Sequence, residues 1–115
     1  IDPKGLMVGL RKAFHRYRLP MIICENGMAY SETLDEDFKI HDTYRIDYLT
    51  QHILQVKEAI DEGYPVFGYC PSHQGFSKRY GLIYIDRTEK DVKECKRYKK
   101  DSFYWYQSVI KNNGI

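Results

Sequence analysis

The chain has 115 residues, which is enough for one small domain with a core of its own. Its 18 basic and 16 acidic residues leave a net charge of +2 and mostly alternate in sign, which argues against a surface dedicated to nucleic acid. Cys24, Cys70 and Cys95 lack the spacing of a zinc site or a disulfide framework, so we expect reduced thiols and no metal. No segment has the apolar length of a membrane span or of a secretion signal, and we therefore expect a cytoplasmic protein without membrane contact.

The first predicted element is an amphipathic helix. Asp2 and Pro3 suit the cap and first turn of a helix, and apolar residues then recur at helical spacing as far as Arg18. Pro20 ends this pattern. The unbroken apolar run over residues 21–24 predicts a short strand that is buried on both faces.

A second helix and strand follow a long polar segment. Residues 29–43 are acidic and aperiodic, so we expect an exposed loop. From Tyr44 onward the apolar residues share one helical face while Arg45 lies elsewhere, and Gly63 is placed to end the helix. Residues 65–70 predict a second strand. This alternation predicts an α/β fold in which two parallel strands, joined by a right-handed crossover, end at the same rim. The apolar face comprises Ile46, Leu49, Ile53, Val56 and Ile60.

The last third of the chain changes character. Residues 78–86 predict a short hairpin or extended segment, and residues 87–100 are basic and polar. Asp101 or Ser102 can cap a final helix. Its apolar stripe comprises Phe103, Tyr106, Val109 and Ile110.

Glu25 stands where the first predicted strand breaks at Asn26 and Gly27. A carboxylate at the end of a buried strand can be aimed rigidly into a cleft, as a nucleophile on an anomeric carbon requires. The local pattern alone leaves an alternative open, in which Glu25 caps a turn or pairs with a nearby cation.

An ordered series of motifs over nearly the whole chain resembles the C-terminal part of glycoside hydrolase family 1. The motifs are Cys-Glu-Asn-Gly at residues 24–27, Tyr-Arg-Ile-Asp-Tyr-Leu at 44–49, Gly-Tyr-Pro-Val at 63–66 and Lys-Arg-Tyr-Gly-Leu-Ile-Tyr at 78–84. The resemblance implies that residues 1–115 form a single partial domain, the last two strands of a (β/α)8 TIM barrel, since a complete barrel needs about 250 residues. It also implies that Glu25 is the nucleophile of a retaining glycosidase.

Ser72, Lys78 and Tyr80 are similar in type and spacing to the loop that holds the sugar 6-phosphate in the 6-phospho-β-glucosidases and 6-phospho-β-galactosidases of that family. Hydroxyl donors and a point positive charge suit a phosphate. The alternative is an ordinary basic turn with a solvated lysine. The resemblance implies a phosphorylated β-disaccharide or β-glucoside as substrate, with a gluco rather than galacto sugar, and no cofactor.

The chain departs from the family pattern at two points. Cys70 and Pro71 run directly into Ser72, where family members continue through a Trp-Ser step, so a short segment is either deleted or left out of the sequence. The Asn-Glu-Pro motif of the general acid/base does not occur. Glu32, Glu36 and Glu58 lie on the polar loop or a helix flank and do not replace it.

We therefore expect a chain that carries the nucleophile but is inactive alone, because general acid catalysis contributes about 10²–10⁴-fold. Two other hypotheses remain open. One is a non-catalytic sugar-phosphate binding module. The other is a structural piece that forms homo-oligomers to cover exposed barrel edges.

Overall fold

A computed structural model describes residues 1–71 and 76–115, so the predicted site residue Ser72 lies outside the described part. The described helices and strands follow the predicted α/β alternation. A short hairpin is present as predicted, but its two strands lie at residues 83–85 and 97–99 rather than within residues 78–86. In chain order they are α1 (Pro3–Tyr17), β1 (Met21–Asn26), α2 (Thr43–Asp61), β2 (Val66–Pro71), β3 (Ile83–Ile85), β4 (Arg97–Lys99) and α3 (Asp101–Asn112). Of these helices, none combines the length and the apolar composition that crossing a membrane requires.

Strands β1 and β2 lie side by side and parallel, with helix α2 as the connection between them. Met21 pairs with Val66 at the start of the ladder, and Asn26 pairs with Pro71 at its end. The predicted parallel pair is confirmed. Both strands therefore end at one rim, and the residues that follow each strand begin there.

The apolar core lies on one side of this two-stranded sheet, where α1 and α2 pack against it. It comprises Met7, Leu10, Ile23, Val56, Ala59 and Val66. The opposite face of the sheet is open: Ile22 is 46% exposed and Phe67 is 69% exposed. The prediction that the first strand is buried on both faces is therefore wrong for this chain, because helices cover only one of the faces.

The buried stripe of helix α2 contains Leu49 and Val56, as predicted, but its other members differ from the predicted face. Its buried residues are Arg45, Leu49, His52, Val56 and Ala59. Ile60, which was predicted to face the core, is 49% exposed. Ala59 is fully buried where α2 meets the core, so the helix is turned towards Ala59 rather than towards its larger neighbour Ile60. At the other end of this stripe the buried side chain is the cation of Arg45.

The hairpin is formed by β3 and β4, which pair antiparallel with Tyr84 opposite Tyr98. Strand β4 was not predicted, because Arg-Tyr-Lys in a basic segment carries no apolar run. Helix α3 begins one residue after Lys100, close to the predicted start. Its second residue, Ser102, donates its backbone N–H to Asp42 Oδ1 at 2.8 Å, so the carboxylate of another segment caps this helix.

Candidate functional site

Glu25 is the penultimate residue of β1 and its side chain is exposed at the rim. Its neighbour Asn26 is held by the adjacent strand, because the Tyr69 hydroxyl on β2 donates to Asn26 Oδ1 at 2.7 Å. The end of the strand that carries Glu25 is thus tied to the neighbouring strand β2.

Burial raises the pKa of the Tyr69 hydroxyl, so this group stays protonated and can donate its hydrogen bond near neutral pH. Asn26 and Tyr69 were not predicted as site residues, since their contact depends on the register of the two strands.

Lys78 has an exposed side chain, and its backbone is joined to the segment after β1. The Lys78 carbonyl accepts the Tyr30 backbone N–H at 2.9 Å. An open pocket of about 540 Å³ lies between these two segments, and its lining residues are Ala29, Tyr30, Ser31, Ser77 and Lys78. The structure thus brings the segment that follows Glu25 together with the segment that carries Lys78 and Tyr80.

The exposed side chain of Glu89 binds the residues that precede Lys78. Its Oε1 accepts the backbone N–H groups of Phe76 and Ser77 at 2.8 and 3.1 Å, and the Ser77 hydroxyl at 3.2 Å. The backbone N–H groups of Ser77 and Phe76 hold the pKa of Glu89 below its usual value. Glu89 therefore stays ionised and keeps accepting these hydrogen bonds near neutral pH.

A buried ionic cluster lies beneath the two segments and consists of Glu32, Asp42, Arg45 and Lys100. Arg45 Nη2 lies 2.5 Å from Glu32 Oε1, and Arg45 Nε lies 2.8 Å from Asp42 Oδ2. Lys100 Nζ lies 2.6 Å from Glu32 Oε2. All four side chains are at most 2% exposed. Two cations and two carboxylates thus balance each other in a region that water does not reach.

Both cations of the cluster also bind backbone carbonyls. Arg45 Nη1 donates to Met28 O at 3.0 Å and to Tyr80 O at 2.6 Å, and Arg45 Nη2 donates to Arg79 O at 2.7 Å. Lys100 Nζ donates to the same Arg79 carbonyl at 2.9 Å. Burial lowers the pKa of Lys100 to about 8, so the amine is still charged at neutral pH. The cluster therefore joins the segment after β1 to the Lys78–Tyr80 segment from below.

The cluster corrects the prediction that residues 29–43 form an exposed loop. Glu32, Ile40 and Asp42 of this segment have buried side chains. Arg45 was placed on the polar side of its helix, whereas it is 1% exposed. The Asp-x-x-Arg spacing of Asp42 and Arg45 was a readable local signal, because residues three apart are neighbours at a helix start. The pairing of Glu32 with Lys100 had no local signal.

Comparison with known proteins now decides the family. The whole chain, residues 1–115, matches the model of glycosyl hydrolase family 1. The chain belongs to this family. The resemblance predicted from the sequence motifs is confirmed at that level.

Among the family 1 proteins, the aryl-phospho-β-D-glucosidase BglC of Bacillus subtilis is 46% identical over 122 residues, which covers 99% of this chain and 25% of that protein. The 6-phospho-β-glucosidase of Dickeya chrysanthemi is 44% identical, with 99% and 26% covered. The solved structure of the family 1 β-glucosidase from Thermotoga maritima has a TM-score of 0.90 at 40% identity, covering 100% of this chain and 27% of that one. The chain spans about a quarter of the length of these relatives.

These family 1 relatives include enzymes named for phosphorylated glucosides and one named simply as a β-glucosidase. Membership therefore identifies a glycoside hydrolase family but does not choose between phosphorylated and unphosphorylated sugars.

Proposed function

We propose that this chain supplies the nucleophile and the phosphate-binding segment of a retaining family 1 6-phospho-β-glucosidase. The observation that carries the proposal is the junction at the rim. The segment that follows Glu25 and the segment of Lys78 are joined by the Tyr30–Lys78 backbone hydrogen bond. Contacts within this chain thus join the strand that carries the proposed nucleophile to the segment that carries the proposed phosphate ligands, Lys78 and Tyr80.

In the proposed reaction, the Glu25 carboxylate attacks the anomeric carbon of the β-linked sugar, and the bond to the leaving oxygen breaks. Water then attacks the same carbon and releases the sugar with retained configuration, which restores the carboxylate. Asn26, which Tyr69 holds, fixes the end of the strand beside Glu25. A rigid strand end keeps the attacking oxygen in position, which is a prerequisite for efficient covalent catalysis.

The leaving oxygen needs a proton from a second carboxyl group about 5–5.5 Å from the nucleophile. Glu32 is unsuited to this role, because Arg45 and Lys100 both engage its buried carboxylate. Glu36 and Glu58 are exposed on the loop and on α2. We therefore propose that the chain needs a general acid from outside residues 1–115 and is inactive alone.

The exposed amine of Lys78 and the hydroxyl of Tyr80 are proposed to bind the 6-phosphate, together with the hydroxyl of Ser72. A lysine amine is a compact point charge with three donors, which suits a phosphate oxygen at a partly open site. Two of the relatives above are named for phosphorylated glucosides, which supports this choice. The gluco rather than galacto preference rests on the sequence resemblance.

The test of the nucleophile uses a full-length family 1 enzyme that contains this chain. Glu25→Gln keeps the size of the side chain but removes its nucleophilic oxygen, and we expect the rate on a chromogenic 6-phospho-β-glucoside to fall at least about 10³-fold. Glu58→Gln, the same change on the exposed side of α2, is the matched control and should retain the original rate. Wild-type turnover by Glu25→Gln would overturn the assignment.

A second candidate function is sugar-phosphate binding without catalysis. It is favoured by the way in which residues of this chain alone hold the Lys78 segment, through Tyr30, Arg45, Glu89 and Lys100. Titration calorimetry of the 115-residue chain with glucose 6-phosphate tests it. Heat that saturates at millimolar ligand and is absent with glucose supports binding, and no heat at these concentrations rejects it.

A further inference from the structure

We propose that Arg45 and Lys100 are positioning residues of the sugar-phosphate site, which aim Lys78 and Tyr80 by holding the carbonyls of Arg79 and Tyr80. This inference rests on the proposed role of Lys78 and Tyr80. It assigns a function to the buried ionic cluster, whose members do not reach the rim themselves.

The two cations of the cluster bind backbone carbonyls of the Lys78–Tyr80 segment. Arg45 donates to the carbonyls of Arg79 and Tyr80 at 2.7 and 2.6 Å, and Lys100 donates to the Arg79 carbonyl at 2.9 Å. These bonds use only backbone atoms of the segment. The side chains of Lys78 and Tyr80 therefore stay available for a ligand while their backbone is held in place.

The backbone between the two proposed phosphate ligands, Lys78 and Tyr80, has an unusual conformation. Arg79 has φ of 50°, in the left-handed region that residues with a side chain adopt only when their surroundings hold them there. Its own guanidinium donates to the carbonyls of Ile85 and Arg87 at 2.6 and 2.8 Å. Because Arg79 stands between Lys78 and Tyr80, its backbone angles set the relative directions of those two side chains.

The charges of the cluster separate its role from that of Lys78. The cluster contains two cations and two carboxylates, so its formal charges cancel and it adds little net attraction for a phosphate at the rim. A loss of phosphate affinity in a variant that keeps this balance would therefore come from displaced groups. This separates Arg45 and Lys100 from Lys78, whose exposed charge is proposed to meet the phosphate directly.

Two variants of the 115-residue chain test the proposal. Arg45→Lys keeps the charge but has one donor group in place of the guanidinium fork, so it cannot reach all of the Arg45 acceptors. The paired variant Glu32→Gln/Lys100→Met removes one charge of each sign and keeps the cluster balanced. The matched control is Lys57→Met/Asp61→Asn, which removes an exposed ion pair from the same helix.

We expect the dissociation constant of glucose 6-phosphate, measured by NMR titration, to rise at least about 10-fold in both cluster variants, as loss of a hydrogen bond to a charged group allows. The control should stay within about twofold of wild type, since exposed pairs contribute little. A second readout needs no ligand. Hydrogen exchange of the Tyr30 amide, which donates to Lys78 O, should accelerate in the cluster variants and remain unchanged in the control.

The outcomes separate this inference from the proposed function. If Lys78→Met leaves glucose 6-phosphate binding unchanged, the phosphate role of Lys78 is wrong, and the Tyr30 amide still decides whether the cluster positions the segment. If Lys78→Met loses binding while both folded cluster variants keep wild-type affinity and Tyr30 exchange, the positioning role is overturned. Loss of the far-ultraviolet circular dichroism spectrum in both cluster variants would also overturn it, because the cluster would then support the whole fold.

Discussion

The molecule has two interiors of opposite chemistry, the apolar core under the sheet and the buried ionic cluster beneath the rim. The core joins α1, α2, β1 and β2 through side chains such as Leu10 and Val56, whose contacts have no strong directional requirement. The cluster joins loops and helix ends through charged hydrogen bonds between specific atoms. The core can therefore adjust to small shifts, whereas the cluster specifies where each loop carbonyl must lie.

The apolar core and the ionic cluster therefore have different roles in the fold. Apolar burial supplies the general driving force that brings the helices onto the sheet. The cluster determines the positions of the Met28, Arg79 and Tyr80 carbonyls, and hence of both segments at the candidate site. Changes in the two interiors should therefore differ in their consequences even when their energetic costs are similar.

The largest effect is expected from Arg45→Met. It leaves Glu32 and Asp42 buried without their shared cation, and breaking a buried pair in this way costs about 3–5 kcal/mol. Urea denaturation followed by circular dichroism measures the loss in the free energy of unfolding. Lys57→Met, which breaks an exposed pair with Asp61, should cost less than about 1 kcal/mol. Similar losses for both variants would contradict the special status of the cluster.

A core change of comparable cost sharpens the contrast. Leu10→Ala opens a cavity between α1 and the sheet, because Leu10 is only 6% exposed, and should cost about 2–4 kcal/mol of unfolding free energy. Hydrogen exchange under native conditions should show that the Tyr30 amide loses no more protection than the lower global stability of Leu10→Ala accounts for. A selective loss of protection at Tyr30 would show that the core also controls the rim.

The same contrast explains what the sequence could predict. The apolar patterns of residues 2–18, 21–24, 44–60 and 65–70 predicted α1, β1, α2 and β2, because apolar residues recur where an element packs against the core. The order of these elements along the chain predicted the parallel pairing. Arg45 was assigned to the wrong side of α2, since an isolated arginine in a helix normally faces water. Its partners Glu32 and Lys100 lie far away in the chain, and no local pattern signals their pairing. Strand β4 was not predicted for a similar reason. Its residues carry no strand pattern of their own, and they form a strand because they pair with β3.

The candidate site was predicted in part. Glu25, Lys78 and Tyr80 came from the family resemblance, and the structure places the segments that follow or carry them at one rim. The supporting contact of Asn26 with Tyr69 could not be predicted, because it depends on the register of the two strands. The candidate site residues could thus be found from sequence motifs, whereas the residues that hold them in place could be found only from the three-dimensional contacts.

A smaller effect is expected where the cluster caps a helix. Ser102 donates its hydroxyl to Asp42 Oδ2 at 2.5 Å, and Ser102→Ala removes this bond while keeping the backbone bond to Asp42 Oδ1. The free energy of unfolding should fall by about 1 kcal/mol, as for a typical hydrogen bond. Ser108→Ala, later in the same helix, is the control and should have a smaller effect, because its hydroxyl is exposed. Equal effects of the two variants would argue against capping by Asp42.

The smallest effect is a pH dependence of the free energy of unfolding, which arises from His41 beside Asp101, the first residue of α3. The Asp101 carboxylate accepts a hydrogen bond from His41 Nδ1 at 2.7 Å, and Asp35 lies 3.2 Å from Nε2, so the two carboxylates raise the pKa of His41 above 6.5. Protonated His41 therefore stabilises the folded chain fully below pH 6.5, and this contribution is lost as the pH rises through the raised pKa of the folded state.

Urea denaturation between pH 6 and 9 measures this contribution. At pH 6 the free energy of unfolding should be higher for wild type than for His41→Gln, and the difference should shrink as the pH rises to 9. Because the pairs are exposed, the difference should also shrink in 1 M salt at pH 6. A difference that stays constant with pH would mean that His41 contributes by packing rather than by charge. His41 would then contribute to stability as the residues of the apolar core do, and its pairs with Asp35 and Asp101 would add nothing measurable.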